Sequence, residues 1–409
     1  MILDPIKREI TLMPHIMKME RKGIRLDGTA LKKDRDDYFN QMNELDEQIY
    51  VYLGREVDID SSEDLANAIE TRHPNAPFKK TDKTKKRSVS KDSLLQAIGA
   101  FPELLGPILE RNAFATCLRT FIGPWLLQYE THGRLHMQWN QIRNYTETGA
   151  RTGRLSSSPN LQNIPVEWEQ LRSQLEKIHY KLKFELPSVR KYILADEGKI
   201  LIGRDYSGQE LRLLAHFSDG TLLRLLLEEP ARDLHIGAAN AAGLTRKEAK
   251  TLAFAVIYGA GIERISESLE ITEYRAREIK SAYLRALPEI KRFTESVQAT
   301  AHRHALVETL GGRNYRVELA SFAYRLVNYK IQGSAADQTK QAMIDFCESA
   351  DEDEDLLLSV HDQLVIQAPI AGQDMAAAKL EKAMNGSFQE VLKYQIVSDE
   401  SRGENFAQL

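Results

Sequence analysis

The feature that most constrains this chain is an acidic residue where a short apolar strand passes into a helix. Ile200–Ile202 form an apolar run typical of a buried strand, and after Asp205 the apolar residues recur at helical intervals. Rigid backbone at such a junction can hold a carboxylate that faces a cleft. Asp205 is therefore a candidate metal ligand, and the N-cap of the following helix is the alternative interpretation.

A second carboxylate, Asp362, lies far along the chain between two apolar runs. Leu356–Leu358 and Leu364–Ile366 flank a polar His-Asp-Gln, which predicts a tight β-hairpin with the acid at its tip. A turn aspartate is also common for structural reasons alone. Together with Asp205 it provides two carboxylates on strand ends, the pair needed to hold two magnesium ions about 4 Å apart for in-line phosphoryl transfer.

Length and composition exclude several classes of protein. A chain of 409 residues is too long for one ordinary core and predicts two or three subdomains around a cleft. No apolar run could span a bilayer, and the N-terminus lacks the apolar core of a signal peptide, so no membrane association is expected. Cys117 and Cys347 are the only cysteines and fit neither a disulfide framework nor a zinc site. An intracellular, cytoplasmic location is the expectation.

Charge is unevenly distributed, although the net charge is only −4. Residues 348–355 are strongly acidic and are interpreted as a solvated loop. The opposite run lies between residues 79 and 91, where a single acid, Asp82, accompanies seven cations: Lys79, Lys80, Lys83, Lys85, Lys86, Arg87 and Lys91. A loop of this composition between helices is suited to a phosphate backbone, and a solvated loop is again the alternative.

Two further stretches carry groups suited to nucleotides or nucleic acid. Thr148–Pro165 is rich in Gly, Ser, Pro and Asn, which predicts a loop, and it carries donors that can reach phosphates or base edges: Arg151, Arg154, Gln162 and Asn163. A plain linker is the alternative. Thr245 and Glu248 form a capping box that predicts a helix ending at Gly259–Gly261.

Along that helix Arg246, Lys250, Phe254 and Tyr258 recur every four residues and form one stripe. Two cations followed by two aromatic rings make a surface for a triphosphate and then a sugar and base. An amphipathic helix with solvated cations and buried rings is the alternative. Cations at a helix N-terminus cost stability unless an anion joins them, which favours the first interpretation.

These residues resemble the ordered motifs of a known family. Asp205–Arg212, Arg246-x3-Lys250-x3-Phe254-x3-Tyr258-Gly259 and Val360-His361-Asp362 are similar to the three polymerase motifs of family A DNA polymerases, the bacterial DNA polymerase I class. The resemblance continues through Thr152–Ser157, Asn160–Pro165, Gln332–Asp337 and Gly403–Asn405. It covers essentially the whole chain and is confined to the polymerase region, in a compact form that would suit a virus or plasmid.

The resemblance implies an α+β, right-hand polymerase architecture with a palm built on an antiparallel sheet, helical fingers and a helical thumb. It divides the chain into an N-terminal palm entry and thumb (1–150, with the basic tip within about 50–115), a palm segment with Asp205 (151–220), fingers (221–320, with the nucleotide-binding helix at 245–259) and a palm segment with the Asp362 hairpin (321–409). The chain lacks the Asp-x-Glu that opens the family's 3′–5′ exonuclease, and no room remains for a 5′ nuclease. No exonuclease domain is therefore expected.

The resemblance also implies roles for single residues. Asp205 and Asp362, with the backbone carbonyl of Tyr206, would bind two Mg²⁺ ions, and Mn²⁺ would substitute. Nucleotide contacts would come from Arg246, Lys250, Phe254, Tyr258, His235, Glu210 and Gln209, with Lys250 also protonating the departing pyrophosphate. DNA contacts would come from Arg154, Gln332, Asn328, His361, Gln162, Asn163, Lys83, Lys85, Lys86 and Arg87. Glu210 matches a steric gate against a ribose 2′-hydroxyl, and Phe254 predicts poor use of dideoxynucleotides.

The function that these implications describe is a template-directed DNA polymerase acting in replication or repair. Its expected partners are primer-template DNA and dNTPs, a separate exonuclease or processivity factor would be a further one, and a monomer is expected. Gln363 stands where the family usually has Glu, which predicts weaker metal or primer positioning. The alternatives are a single-subunit RNA polymerase, which Glu210 and Phe254 oppose, and a catalytically weakened primer-template binding protein, which Gln363 suggests.

Overall fold

A computed structural model describes residues 3–78, 87–144, 147–165, 168–304, 306–317 and 320–409. Its helices are α1 (Pro5–Lys22), α2 (Gly28–Leu53), α3 (Ser62–Arg72), α4 (Lys91–Ala97), α5 (Pro102–Thr116), α6 (Gly123–His132), α7 (Glu169–Lys177), α8 (Gln209–Ser218), α9 (Thr221–Glu228), α10 (Leu234–Ala242), α11 (Arg246–Tyr258), α12 (Ile262–Leu269), α13 (Glu273–Ala286), α14 (Pro288–His304), α15 (Arg325–Ser349) and α16 (Gln373–Gly386).

The strands are β1 (Arg25–Leu26), β2 (Gln138–Asn140), β3 (Ser156–Ser158), β4 (Ile193–Leu194), β5 (Lys199–Tyr206), β6 (Leu306–Glu308), β7 (Asn314–Arg316), β8 (Asp355–Val360), β9 (Gln363–Pro369) and β10 (Ser398–Gly403). A π-helical segment, Cys117–Ile122, joins α5 to α6. Shorter 3₁₀ turns cover Ile98–Ala100, Arg190–Tyr192, Ala320–Phe322, Ile370–Gly372 and Phe406–Gln408. The α+β expectation is confirmed.

The central element is a four-stranded antiparallel sheet in the order β10-β5-β9-β8. Its apolar residues Leu201, Ile202, Leu364 and Ile366 are fully buried. Helix α16 packs on β5, β9 and β10 and also against the long helix α15. The sheet is therefore a rigid platform, and β5 and the β8–β9 turn share one end of it.

A group of helices, α10 to α14, follows the sheet strand β5 and α8–α9. The capping box predicted for α11 is present. The Thr245 hydroxyl accepts from the Glu248 amide, and the Glu248 carboxylate accepts from the Thr245 amide. Gly259 ends the helix with φ 68, as a left-handed C-cap glycine does. The stretch after α12 is largely helical and forms two helices, α13 and α14, because Leu287 and Pro288 interrupt it.

A second apolar core is separate from the one under the sheet. It gathers side chains of α2 to α5, such as Leu65, Leu94 and Leu105, and also Leu171 and Leu175 of α7. Helix α7 follows the loop at residues 148–165 and was not predicted from the sequence. Its packing places part of the 151–220 segment with the N-terminal helices rather than with the sheet.

A buried ion network fixes the N-terminal helix to the centre of the molecule. Arg8 of α1 pairs with Asp337 of α15 at 3.0 Å, and neither side chain is exposed to solvent. Arg313 and Asp337 pair at 3.0 Å, and Lys340 reaches Glu9 at 2.6 Å. Buried charges of this kind persist only when they are paired and hydrogen-bonded, so the network fixes how α1 and α15 meet. Among the described helices, none is long and apolar enough to cross a membrane.

Candidate active site

Asp205 and Asp362 lie together at one end of the central sheet. Asp205 is the penultimate residue of β5, directly opposite Gln363 of β9, and Asp362 immediately precedes β9. The predicted hairpin is present with a two-residue turn, His361–Asp362, and His361 has φ 58. Such tight turns require a positive φ at a central residue. The Tyr206 amide donates to the Asp362 carbonyl at 3.3 Å, which ties the two acidic segments together.

The two carboxyls lie close enough to change the proton affinity of Asp205. Burial, then the charge and hydrogen bond of Asp362, and then the charge of Asp399 together raise the pKa of Asp205 to about 8. A partly buried carboxyl pair in this state shares a proton at neutral pH. The sequence interpretation of Asp205 as a simple helix cap does not fit, because α8 begins only at Gln209.

A third acid, Asp399, was missed from the sequence. It lies on β10 opposite Asp205 and accepts a hydrogen bond from the Ser207 hydroxyl at 2.5 Å. The segment 398–403 has little apolar character, so no strand was evident there. Gln363 lies on the other side of Asp205 in the sheet and carries no charge.

The donor set at this end of the sheet fits a hard divalent cation. Two carboxylates held at strand ends, and the backbone carbonyl of the adjoining residue Tyr206, are oxygen ligands of the kind that Mg²⁺ and Mn²⁺ prefer. Holding such like charges together is unfavourable unless a proton or a cation joins them. In the described part of the chain, no group of three or more His, Cys, Asp or Glu side chains is placed to hold a metal ion.

The predicted stripe on α11 is present and faces α10. Phe254 and Tyr258 stack with ring centroids 5.9 Å apart and planes at 18°, and His235 of α10 lies 6.1 Å from Phe254. Burial lowers the pKa of His235 to about 4; the negative charge of Asp233 opposes this shift, and the positive charges of Lys250 and Arg246 add to it. His235, Lys250 and Arg246 therefore converge on one region, and the imidazole is neutral at pH 7.

Two atoms here are buried without protein partners among the described residues. They are His235 Nδ1 and Asn328 Oδ1. A buried polar atom without a hydrogen bond is uncommon in a native protein and is often satisfied by a ligand or water. Both residues are among those that the family resemblance assigned to contacts, His235 with the nucleotide and Asn328 with DNA.

A closed hydrogen-bond network surrounds Glu210. Arg154 donates to Glu210 Oε1 at 2.5 Å, the Tyr258 hydroxyl donates to Oε2 at 3.0 Å, and Gln332 donates to Oε1 at 3.2 Å and to the Tyr258 oxygen at 2.8 Å. The structure thus brings together residues from the 148–165 loop, α8, α11 and α15, all of which the sequence analysis had singled out. Burial and Glu210 raise the pKa of Tyr258 to about 12, so its hydroxyl remains a donor.

A cavity of about 170 Å³ adjoins this network. Arg154, Gln162 and His361 line it, and the Gln162 amide donates to the Ser359 carbonyl at 3.2 Å. Lys340 also lines it and was missed by the sequence analysis. Burial lowers the pKa of Lys340 to about 8, and its ammonium donates to Glu9 and to the Gln141 carbonyl at 2.8 Å. Its position eight residues, or about two helical turns, after Gln332 was the available signal.

Other predicted residues lie elsewhere or are otherwise engaged. The Gln209 side chain is buried and donates to Gln338 at 2.9 Å and to the Ala335 carbonyl, so it points into α15. Asn163 is exposed and does not line the cavity. Arg87 donates to the Ala76 and Pro74 carbonyls and pairs with Glu70 at 2.7 Å. Lys83, Lys85 and Lys86 lie outside the described residues.

Comparison with known proteins gives one consistent answer. The family model for DNA polymerase family A matches residues 29–408. The chain is 32% identical over 393 residues to DNA polymerase I, thermostable, of Thermus thermophilus (91% of this chain, 44% of the relative). It is 32% identical over 410 residues to DNA polymerase I of Deinococcus radiodurans (95% and 40%). The chain thus spans less than half the length of these relatives.

A solved structure shares the fold. It is the POL domain of Pol1 from M. smegmatis in complex with DNA primer-template and dNTP, with a TM-score of 0.83 and 23% sequence identity over 98% of this chain and 70% of that chain. The right-hand polymerase architecture expected from the sequence is therefore confirmed.

Proposed function

The chain belongs to DNA polymerase family A, and we propose that it is a template-directed DNA polymerase that adds deoxynucleotides to the 3′-hydroxyl of a primer. The observation that carries the proposal is the pairing of Asp205 and Asp362 at the end of the sheet, next to a helix whose cations and aromatic rings form one stripe. Related polymerases named DNA polymerase I support it. The solved complex of a similar fold holds primer-template and dNTP, which supports these as the partners.

Polymerases of this family conventionally use a divalent metal ion. In the proposed site, Asp205, Asp362 and the Tyr206 carbonyl would hold two Mg²⁺ ions, for which Mn²⁺ would substitute. When bound, such ions lower the pKa of the primer hydroxyl and stabilise charge on the reacting phosphate. The carboxyl pair would first give up the proton that burial keeps on it, and both carboxylates would then be free to hold the cations.

The triphosphate is proposed to lie along the cationic part of α11. Arg246 and Lys250 neutralise it, and the neutral His235 ring offers a further phosphate contact. The primer hydroxyl loses its proton to water as its oxygen bonds to the α-phosphorus, the bond to pyrophosphate breaks, and Lys250 gives a proton to the leaving pyrophosphate. Phe254 packs on the sugar and base of the bound nucleotide. The Gln209 side chain is engaged by α15, so Gln209 contacts the nucleotide through its backbone.

The network around Glu210 is proposed to discriminate the sugar of the incoming nucleotide and the geometry of its base pair with the template. Glu210 occupies the space that a ribose 2′-hydroxyl would need, which favours deoxynucleotides. Arg154 and Gln332 can donate to the N3 and O2 acceptors that every Watson–Crick pair presents in the minor groove. Tyr258 closes the pocket next to the templating base, where its hydroxyl bonds to Glu210 and Gln332.

The remaining proposed DNA contacts surround that network. Asn328, His361, Gln162 and Asn163 lie on or near the primer side, and the segment 79–91 with Lys83, Lys85, Lys86 and Arg87 contacts the duplex backbone. The proposed division is palm at the central sheet, fingers at α10–α14, and a thumb built on the second apolar core, to which α7 also belongs. Two free cysteines, Cys117 and Cys347, support an intracellular setting.

The test is extension of a labelled DNA primer on a DNA template with Mg²⁺ and dNTPs. Asp205→Ala and Asp362→Ala should each abolish extension while primer-template binding is retained, since the proposed DNA contacts lie on other residues. Asp36→Ala, which removes an exposed carboxylate of α2, is the matched control and should extend normally. Extension that survives in either active-site variant would contradict the proposal.

One observation favours a second candidate. Gln363 leaves the first position of β9 uncharged, which favours a primer-template binding protein with little catalysis. Such a protein would bind DNA tightly, and the wild type would not extend the primer. Incorporation of ribonucleotides in place of deoxynucleotides would instead indicate an RNA polymerase.

A further inference from the structure

Asp233 connects the N-termini of two helices at the proposed triphosphate site. One carboxylate oxygen, Oδ1, caps α10 by accepting from the His235 amide at 2.8 Å and the Ile236 amide at 3.1 Å. The other, Oδ2, accepts from Arg246 Nε at 2.8 Å and pairs with its Nη2 at 2.8 Å. The two oxygens thus have separate partners.

Arg246 is the first residue of α11, where the helix dipole places partial positive charge. A guanidinium at that position is unfavourable unless an anion lies beside it, and the Asp233 carboxylate is such an anion. Helix N-termini and guanidinium groups are also the features that bind phosphate. Asp233 therefore occupies the electrostatic position that a phosphate group of a ligand would take.

The same pair lines a cavity that begins at the acidic end of β5. The cavity measures about 340 Å³, and Ser207, Gly208, Asp233, His235 and Arg246 are among its lining residues. Ser207 is two residues after Asp205. A triphosphate that extends from Asp205 to Arg246 must pass the Asp233 carboxylate, and the two negative charges repel each other.

We propose that Asp233 is an internal counter-ion that the triphosphate must displace from Arg246, and that it thereby sets the affinity for the incoming nucleotide. This inference rests on the proposed polymerase function. Both partners are partly exposed, with side-chain exposures of 33% for Asp233 and 53% for Arg246. The exchange should therefore weaken nucleotide affinity only modestly, about two- to fivefold, as for other exposed ion pairs.

Asp233→Asn separates the two roles of the side chain. Asparagine caps a helix as well as aspartate does, so α10 remains capped while the charge opposite Arg246 is removed. We expect the Kd of a dNTP for the complex with a dideoxy-terminated primer-template to fall about two- to fivefold. The rate of incorporation at saturating dNTP should not change. The difference from wild type should shrink as NaCl rises, because salt screens exposed charges.

Asp27→Asn is the matched control. Asp27 caps α2 by accepting from the Ala30 amide at 2.9 Å, and it does not line the cavity. Its substitution should leave the dNTP Kd at the wild-type value. The thermal unfolding temperature of each variant shows whether its helix, α10 or α2, is still capped.

The binding assay needs no chemistry, so two failures can be told apart. An unchanged or higher dNTP Kd in Asp233→Asn would overturn this inference, and a higher value would show that the carboxylate orients Arg246 for the nucleotide. A wild-type protein that binds dNTP but never extends a primer would instead overturn the proposed function.

Discussion

Manganese binding at Asp205 and Asp362 should depend strongly on pH. Burial and the neighbouring carboxyl raise the pKa of Asp205 to about 8, so below pH 8 the side chain carries a proton that an incoming cation must displace. Release of one proton per binding event changes the apparent Kd about tenfold for each pH unit. From pH 6 to pH 8 we therefore expect Mn²⁺ affinity to rise about a hundredfold in total and then to level off.

Electron paramagnetic resonance of free Mn²⁺ measures this directly, because bound ions lose the sharp signal of the free ion. Titrations at pH 6, 7, 8 and 8.5 would give the slope and its end point. Asp205→Asn removes the titrating group and should abolish both the tight site and its pH dependence. A wild-type Kd that stays constant between pH 6 and 8.5 would refute the reasoning, since it would mean that the pair holds no displaceable proton.

The same carboxyl predicts a stability effect of definite sign. The folded pKa of Asp205 lies above its ordinary value of 3.8, so its stabilising contribution is complete below that value and is lost as the pH rises through 8. Metal-free Asp205→Asn should accordingly be more stable than wild type at pH 8.5, by about 2–5 kcal/mol in urea unfolding. Equal stability at pH 8.5 would contradict this account.

Three further substitutions test other parts of the structure. Gln363→Glu places a third acid beside Asp205 and should raise the extension rate at limiting Mg²⁺ by about tenfold, whereas no gain would show that the missing acid is not limiting. Phe254→Tyr should increase dideoxynucleotide incorporation relative to dNTP, and an unchanged ratio in a competition assay would count against the assignment of Phe254 to the sugar. Asp337→Leu leaves Arg8 buried without its partner and should cost about 3–5 kcal/mol in urea unfolding, while a loss below about 1 kcal/mol would mean that the pair is not needed.

Local sequence patterns predicted the elements that carry the chemistry. The apolar run before Asp205, the hairpin around Asp362 and the capping box at Thr245 are each determined by neighbouring residues, and all three are present. The four-residue spacing of Arg246 to Tyr258 is also a local property. The ordered motifs were specific enough to indicate the family, which the comparison confirmed.

Only the tertiary structure showed which residues those elements contact. Asp399 lies beside Asp205 because β10 pairs with β5, and Asp233 contacts Arg246 because α10 packs on α11. No short sequence pattern predicts these contacts. The position of the Gln209 side chain depends on where α15 passes, which the sequence analysis could not foresee. Helix α7 was missed because its few apolar residues find their partners in α2 to α5.

The sequence by itself therefore determined the fold class and most of the candidate site, because backbone periodicity, turns and caps depend on residues close in the chain. The tertiary structure decided which charges face each other, which of them are buried, and hence the raised pKa of Asp205 and the pairing of Arg246. These properties depend on distance in space, since burial and Coulomb interactions act between groups that folding brings together.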